Sequence, residues 1–221
     1  MGLTTKFLIP ALLTIKIASA ATLLSFLFGG LMAWLLQSRK GSFIMIIECF
    51  IALPLVLPPT ILGYYLLLLL ARSGPVGTVL PIDIIFTPWA AIIAATAAST
   101  PIMFKTVKSF FETTEPEIIG AARLDGASEW KLLLLIRIPL TWKGILTGII
   151  LAFLRSIGEF GATMMIAGNI PGKTQTMALA IWDYVMSGDL SSANQLALIV
   201  AVTCLVTLTL LRFLDNKLDY R

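Results

Sequence analysis

Long apolar runs separated by short polar segments dominate the pattern along this chain of 221 residues. An α-helix needs about 20 apolar residues to cross the hydrocarbon core of a bilayer, and several runs reach that length. The pattern therefore predicts an all-α, polytopic integral membrane protein with one membrane domain, residues 1–221, and about five transmembrane helices. The predicted spans are residues 7–37, 43–71, 87–107, 140–165 and 194–213.

The second apolar run contains three prolines, Pro54, Pro58 and Pro59. Because proline lacks a backbone N–H, they predict a kinked or broken helix. A membrane tolerates the freed carbonyls where neighbouring protein or a water-filled path satisfies them. A simple kink is one interpretation. The other is that this segment lines a path, where Thr60 would supply a hydroxyl.

The third and fourth predicted spans carry many small residues. The third is rich in Ala, and the fourth has Gly144 and Gly148 at a spacing of four. Small residues let membrane helices approach one another closely, so the third span is expected to pack tightly against other helices. The glycine spacing in the fourth span is a packing pattern that is common by chance in such helices.

Composition agrees with a membrane protein and argues against an enzyme. Hydrophobic residues make up 58% of the chain and charged residues 13%, whereas about a quarter of an ordinary soluble domain is charged. The chain has no His, which is the commonest general base and metal ligand. We therefore predict no catalytic residue, no metal site and no cofactor. Cys49 and Cys204 lie in apolar runs and are expected to be buried free thiols.

One polar segment, residues 115–138, interrupts the apolar pattern. Ala121 and Ala122 favour a helix, and Asp125 followed by Gly126 is typical of a turn. The segment therefore predicts a short helix, a tight turn and a second amphipathic stretch. An ordinary cytoplasmic loop is the plain interpretation. Its charged residues include Glu117, Arg123, Asp125, Glu129, Lys131 and Arg137.

Basic residues are distributed unevenly over the two sides that five spans define. One side would carry only Lys6, Arg72 and Lys173. Basic residues favour the cytoplasmic side, so the N-terminus is predicted outside and the polar segment and C-terminus inside the cytoplasm. The residues placed on the cytoplasmic side are Arg39, Lys40, Lys105, Lys108, Arg123, Lys131, Arg137, Lys143, Arg212, Lys217 and Arg221.

Two opposite charges, Arg155 and Glu159, stand four residues apart within the fourth predicted span. Each would cost about 2.5 to 3.5 kcal/mol at the middle of a bilayer, so both are expected to face protein or water and to pair. Either the pair locks helix packing or these residues belong to a path.

Several motifs resemble those of a known family. Ala121, Ala122, Gly126, Ile136 and Pro139 match the E-A-A-x3-G-x9-I-x-L-P signature of ABC importer permeases, with Gly120 in place of Glu and Ile138 in place of Leu. The segments at residues 53–67 and 155–176 resemble the permeases of molybdate importers, and slightly less closely those of sulfate and tungstate importers. The resemblance covers essentially the whole chain.

This resemblance implies a type I ABC importer permease of the bacterial cytoplasmic membrane that moves molybdate by alternating access. Its expected partners are a second copy, two ATP-binding cassette subunits that hydrolyse ATP, an external molybdate-binding protein and membrane lipid, but no nucleic acid. Sulfate, thiosulfate or tungstate is the alternative cargo, and an ATP-independent channel or secondary transporter is the alternative class. Residues implied in coupling are Glu117, Ala121, Ala122, Arg123, Asp125 and Gly126, and those implied in the path or its gate are Thr60, Arg155, Ser156, Glu159 and Thr163.

Overall fold

The computed structural model describes residues 3–37, 39–79 and 83–219, and within these ranges the regular structure is helical throughout. The α-helices are α1 Leu3–Leu36, α2 Ser42–Val56, α3 Pro59–Leu70, α4 Pro88–Glu112, α5 Pro116–Leu124, α6 Glu129–Leu132, α7 Ile138–Ile157, α8 Gly161–Ala167, α9 Met177–Met186 and α10 Leu190–Asp219. A π-helical turn, Leu133–Arg137, joins α6 to α7.

Helices α1, α4 and α7 form the centre of the fold. Helix α4 packs along both α1 and α7. Small residues allow the approach to α1: the hydroxyl oxygens of Ser25 and Ser99 are 2.6 Å apart, and a Cβ added at Gly29 would lie 3.0 Å from the carbonyl oxygen of Thr100. The close packing predicted from the small residues of the third span is confirmed.

Helix α7 approaches α4 through its two glycines. A Cβ at Gly144 would lie 1.9 Å from Cγ of Phe110, and a Cβ at Gly148 would lie 3.1 Å from Sδ of Met103. A side chain at Gly144 would therefore collide with Phe110, whereas one at Gly148 would require Met103 or Val107 to shift by a few tenths of an ångström. The glycine pair thus lies in close contact with α4.

The proline-rich run forms two helices rather than one. Helices α2 and α3 meet at an angle of 115°, and Leu57 and Pro58 lie in the extended link between them. Of the two predicted outcomes, a kink or a broken helix, the structure has the broken helix. Helix α2 has no buried residue, and Cys49 is exposed on it. Cys204 is half-buried on α10. The expectation that both thiols are buried was wrong, because these helices have few neighbours within the chain.

The fourth predicted span, residues 140–165, is interrupted. Helix α7 ends at Ile157, Gly158 caps it, and α8 begins only at Gly161. By length and composition, four helical segments among the described residues could cross a membrane, and the bent pair α2 and α3 is a fifth candidate. The four are Lys6–Leu36, Pro88–Glu112, Glu129–Ile157 and Leu190–Phe213. The residue limits of the spans in the bilayer stay a prediction.

An ion pair joins the start of α1 to the start of α10. Nζ of Lys6 lies 2.7 Å from Oδ2 of Asp189 and donates a second hydrogen bond of 2.9 Å to the hydroxyl of Ser192. The backbone N–H of Ser192 donates to Oδ1 of Asp189 at 3.1 Å. The hydrogen bonds from Lys6 and Ser192 hold the pKa of Asp189 at about 2, below the usual range of aspartate.

This lowered pKa gives a testable pH dependence. Because the carboxylate is favoured in the folded state, its contribution to stability is present above about pH 4 and is lost as the pH falls towards 2. We expect the difference in Tm between the wild type and Asp189→Asn in detergent to be constant above about pH 5 and to shrink below about pH 4. A difference that stays unchanged down to about pH 2 would contradict the assignment.

Candidate functional site

The break between α7 and α8 places an acidic side chain inside the protein. Glu159 is buried, and its Oε1 accepts a hydrogen bond of 2.9 Å from the backbone N–H of Ala162 in the first turn of α8. A carboxylate at a helix N-terminus satisfies a donor that would otherwise lack a partner and is favoured by the helix dipole. This contact explains why the chain leaves α7 and starts α8 here.

Arg155 neutralises this carboxylate. Its Nη1 lies 2.7 Å from Oε2 of Glu159, and the Glu159 side chain is 1% exposed whereas that of Arg155 is 27% exposed. The expected pairing is confirmed. Oε2 receives no well-aligned hydrogen bond from the described residues. Its contact with Arg155 is therefore an electrostatic attraction rather than a directional hydrogen bond. The cation of the pair therefore keeps an accessible side, and the anion does not.

The start of α3 packs against the start of α8. A Cβ added at Gly161 would lie 2.7 Å from Cβ of Pro59 and 3.3 Å from the backbone nitrogen of Thr60. Thr60 is exposed on the first turn of α3. The fold thus brings the proline break of α2 and α3 next to the break between α7 and α8, although about 100 residues separate them in the sequence.

The two remaining residues expected in the path, Ser156 and Thr163, are both buried in this structure. The hydroxyl of Ser156 donates to the carbonyl of Ala152 at 2.8 Å within α7. Of the residues expected in the path, Thr60 is therefore exposed and Arg155 is partly exposed, while Ser156, Glu159 and Thr163 are buried.

A compact loop, residues 168–176, follows α8, and the sequence analysis assigns it no role of its own. Its centre is Thr174, which is fully buried and donates to the carbonyl of Gly168 at 3.0 Å. The Thr174 hydroxyl also accepts from the backbone N–H of Ile170 at 3.1 Å. Gly168 and Gly172 both have positive φ, at 67° and 74°. The Gly and Pro residues of this loop are the signal that its backbone is tightly turned.

The polar segment forms the predicted short helix, α5, and the predicted turn, and the amphipathic stretch that was expected next begins as the helix α6. The backbone N–H of Ala127 donates to the carbonyl of Ala122 at 3.0 Å, and Gly126 between them has a φ of 82°. Only glycine adopts this conformation without strain, so Gly126 permits the turn that ends α5.

Helix α5 presents most of its surface outwards. Within this helix, which is fully described, Ile119 is the one buried residue, and the side chain of Leu124 at its end is 90% exposed. Arg123 donates to Glu129 of α6, with Nη2 to Oε1 at 2.8 Å, and so closes the turn. Of the residues expected in coupling, Ala122 is half-buried, and the others are exposed: Glu117, Ala121, Arg123, Asp125 and Gly126.

Arg137 is a residue whose burial the sequence analysis missed. The charge pattern places it in a cytoplasmic loop, yet it is 6% exposed at the start of α7. Its Nη1 donates to Oε1 of Gln37 at the end of α1 at 2.8 Å and to the carbonyl of Phe111 at the end of α4 at 3.3 Å. The signal is the apolar run of residues 132–138, in which Arg137 is the single charge.

Three features together define the class of this protein: apolar helices around a broken span, a buried ion pair at a second break, and an exposed helix with an apolar tip. They are typical of membrane transport subunits that work with another protein. The chain belongs to the family described as binding-protein-dependent transport system inner membrane component, whose sequence model matches residues 15–220.

Relatives within this family align over nearly the whole chain. The chain is 38% identical to the putative molybdenum transport system permease protein YvgM of Bacillus subtilis strain 168, with 96% of this chain and 94% of that protein covered. It is 36% identical to the molybdenum transport system permease protein ModB of Escherichia coli strain K12, with 92% and 91% covered. The corresponding ModB of Haemophilus influenzae is 31% identical, with 94% and 93% covered.

Solved structures show the same fold at low sequence identity. An inward-facing MetNI methionine ABC transporter chain matches with a TM-score of 0.77 and 14% identity, covering 96% of this chain and 95% of that chain. A chain of a bacterial alginate ABC transporter, in complex with an alginate pentasaccharide-bound periplasmic protein, matches with a TM-score of 0.67 and 15% identity. That match covers 94% of this chain and 76% of the other. The fold is that of ABC importer permeases.

Proposed function

We propose that this chain is the transmembrane subunit of an ATP-driven importer of molybdate. The assignment of molybdate as the cargo is supported by the sequence identity to molybdenum transport permeases of two bacteria. This identity is 31% to 36% over more than nine tenths of the chain. Sulfate, thiosulfate and tungstate are similar oxyanions and remain the alternative cargo. Two copies of the chain enclose the path, and an external binding protein delivers the oxyanion.

The exposed α5 supports coupling to a separate ATP-binding cassette subunit. A large apolar side chain that is almost fully exposed, Leu124, is an expected anchor in a pocket of a partner protein. Exposed charges surround it, as at the polar rim of a protein interface. ATP hydrolysis belongs to that partner. The proposed coupling residues are Glu117, Ala121, Ala122, Arg123, Asp125 and Gly126.

The break between α7 and α8 supports an anion path. A tetrahedral dianion is repelled by an accessible carboxylate, but Glu159 is buried and paired, whereas Arg155 is partly exposed. The exposed hydroxyl of Thr60 lies on the adjoining helix. The surface that the oxyanion meets is therefore weakly positive and carries a donor. Ser156 and Thr163, which are buried here, would take part only after the helices move.

The ends of α1 support the proposed orientation. Lys6 near its start contacts Asp189, and Gln37 just after its end contacts Arg137 in the polar segment of residues 115–138, the coupling segment. The coupling segment must face the ATPase, so the start of α1 is outside and the end of α10 is cytoplasmic in the bacterial cell membrane. The excess of basic residues on the coupling side agrees with this orientation.

Transport then follows from rigid-body movement. Closure of the two ATPase subunits would pull the two α5 helices together, and α7, which continues from the coupling segment through the π-helical turn, would carry the movement to the break at Gly158. A channel or secondary transporter would also suit broken spans and a buried ion pair. It would leave the exposed α5 without a partner.

Reconstitution tests the proposal. The chain, its ATP-binding cassette subunit and its binding protein are placed in proteoliposomes, and uptake is measured with molybdate-loaded, sulfate-loaded and empty binding protein. We expect ATP-dependent uptake of molybdate and stimulation of ATP hydrolysis in the order molybdate, sulfate, empty. Uptake without ATP would contradict the class, and a preference for sulfate would contradict the cargo.

A further inference from the structure

Arg137 carries a buried charge without an ionic partner in the part of the chain that the structure describes. A buried guanidinium is normally paired with a carboxylate, because removing it from water is costly. The two acidic side chains that line the cavities beside it are engaged elsewhere: Glu129 pairs with Arg123, and Glu112 pairs with Lys108. No carboxylate among the described residues forms an ion pair with Arg137.

The hydrogen bonds of Arg137 are also incomplete. Arginine has five N–H donors, and both bonds found among the described residues use Nη1. Both acceptors lie near helix C-termini, where the helix dipole is negative and offsets part of the charge. The Nε and Nη2 donors have no acceptor within the described part of the chain.

The open side of Arg137 faces a cavity of about 340 Å³. Arg39 and Arg123 line the same cavity together with Glu129, so its lining has three positive charges and one negative charge, a net charge of +2. A second cavity of about 270 Å³ shares Arg123 and Arg137 with the first. The chemistry of the main cavity suits an anion with several acceptor oxygens.

The apolar lining of the main cavity favours a lipid over a free ion. Trp34 and Leu35, in the last turn of α1, form the apolar part of the lining. Leu35 is exposed on the outer surface of α1, and the ring of Trp34 packs against Trp130 with centroids 4.7 Å apart. Tryptophan at the end of a span is typical of the headgroup level of a bilayer.

We propose that this cavity binds the phosphate headgroup of an anionic membrane phospholipid. The phosphate would accept the free Nε and Nη2 donors of Arg137 and interact with Arg39, while the acyl chains would lie along Leu35. Since Arg123 and Arg137 belong to the coupling segment and Trp34 to α1, the headgroup would bridge these two parts. Basic pockets at the cytoplasmic ends of spans bind such headgroups.

The test uses the full-length chain purified in detergent and stripped of native lipid. Phosphatidylglycerol or phosphatidylcholine is added in equal amounts, and retained lipid is counted by native mass spectrometry while Tm is recorded. We expect phosphatidylglycerol to be retained and to raise Tm, and its apparent affinity to fall about tenfold in Arg137→Gln and several-fold in Arg39→Gln. Arg39 is exposed, so its variant is expected to fold even if Arg137→Gln does not.

Arg212→Gln is the matched control, because Arg212 is an exposed arginine on α10 and lines neither cavity. It should leave retention unchanged. Equal loss in this control would mean a general surface-charge effect and would overturn the proposal.

Three further outcomes would each overturn the proposal. Equal stabilisation by millimolar inorganic phosphate would indicate a free-anion site. Unchanged retention in both cavity variants, with a lower Tm for Arg137→Gln alone, would indicate that Arg137 only caps α1 and α4. Loss of the ATPase subunit from Arg137→Gln, with lipid retention unchanged, would indicate that an acidic residue of that subunit fills the cavity.

Discussion

Replacing Leu124 with aspartate should abolish stable binding of the ATP-binding cassette subunit while leaving the membrane fold intact. Leu124 is 90% exposed at the end of α5, so the change removes little contact within the chain. In the complex, it would place a charge in an apolar pocket. A central interface anchor contributes about 2 to 4 kcal/mol, which corresponds to a loss of affinity of roughly 30- to 700-fold.

Co-purification of the two subunits and their ATPase activity measure this effect. Val79→Asp is the matched control, because Val79 is also an exposed apolar residue and lies in the loop after α3, away from the coupling segment. The control should bind the ATPase subunit normally. If Leu124→Asp retained the subunit, with normal stimulation by loaded binding protein, the proposed docking role of α5 would be wrong.

The coupling segment shows what local sequence can predict. Ala121 and Ala122 favour a helix, and Gly126 supplies the positive φ that ends it. The helix and the turn were therefore predictable, as was the break at Pro58 and Pro59. Each of these features is decided by residues within a few positions of one another, so the pattern along the chain is sufficient.

The interruption of the fourth span shows where such reasoning fails. Hydropathy continues from α7 into α8, and Gly158 alone does not end a membrane helix. The break depends on the buried carboxylate of Glu159, which accepts the N–H of Ala162, and on α3 packing against Gly161. These contacts involve the burial of one charge and a helix that is distant in the sequence, neither of which the hydropathy pattern contains.

The position of Arg137 escaped the sequence analysis for a similar reason. Its charge suggests a solvated loop, but its partners are the side chain of Gln37 and the carbonyl of Phe111. Those partners are 100 and 26 residues away in sequence. The sequence supplies the donor, while only the tertiary structure reveals that it is buried at the ends of two helices.

The ion pair of Arg155 and Glu159 allows the path hypothesis to be separated from a purely structural lock. Arg155→Gln leaves the Glu159 carboxylate buried without its cation, which is costly to the fold and repels an oxyanion. We expect molybdate uptake per folded complex to fall at least about tenfold. In the Arg155→Gln/Glu159→Gln double variant both charges are gone, and the amide oxygen introduced in place of the carboxylate can still accept the N–H of Ala162.

If electrostatics along the path dominate, uptake by the double variant should recover to within about threefold of the wild type, because no net charge remains near the break. Arg72→Gln, which breaks the exposed pair of Arg72 with Asp83, is the matched control and should change uptake little, since exposed pairs contribute little to stability. Uptake and Tm must be measured on the same preparations. A double variant that recovers Tm but not uptake would show that Arg155 contacts the oxyanion itself. A double variant no better than Arg155→Gln in both measurements would contradict electrostatic compensation and favour a lock that depends on the geometry of the pair.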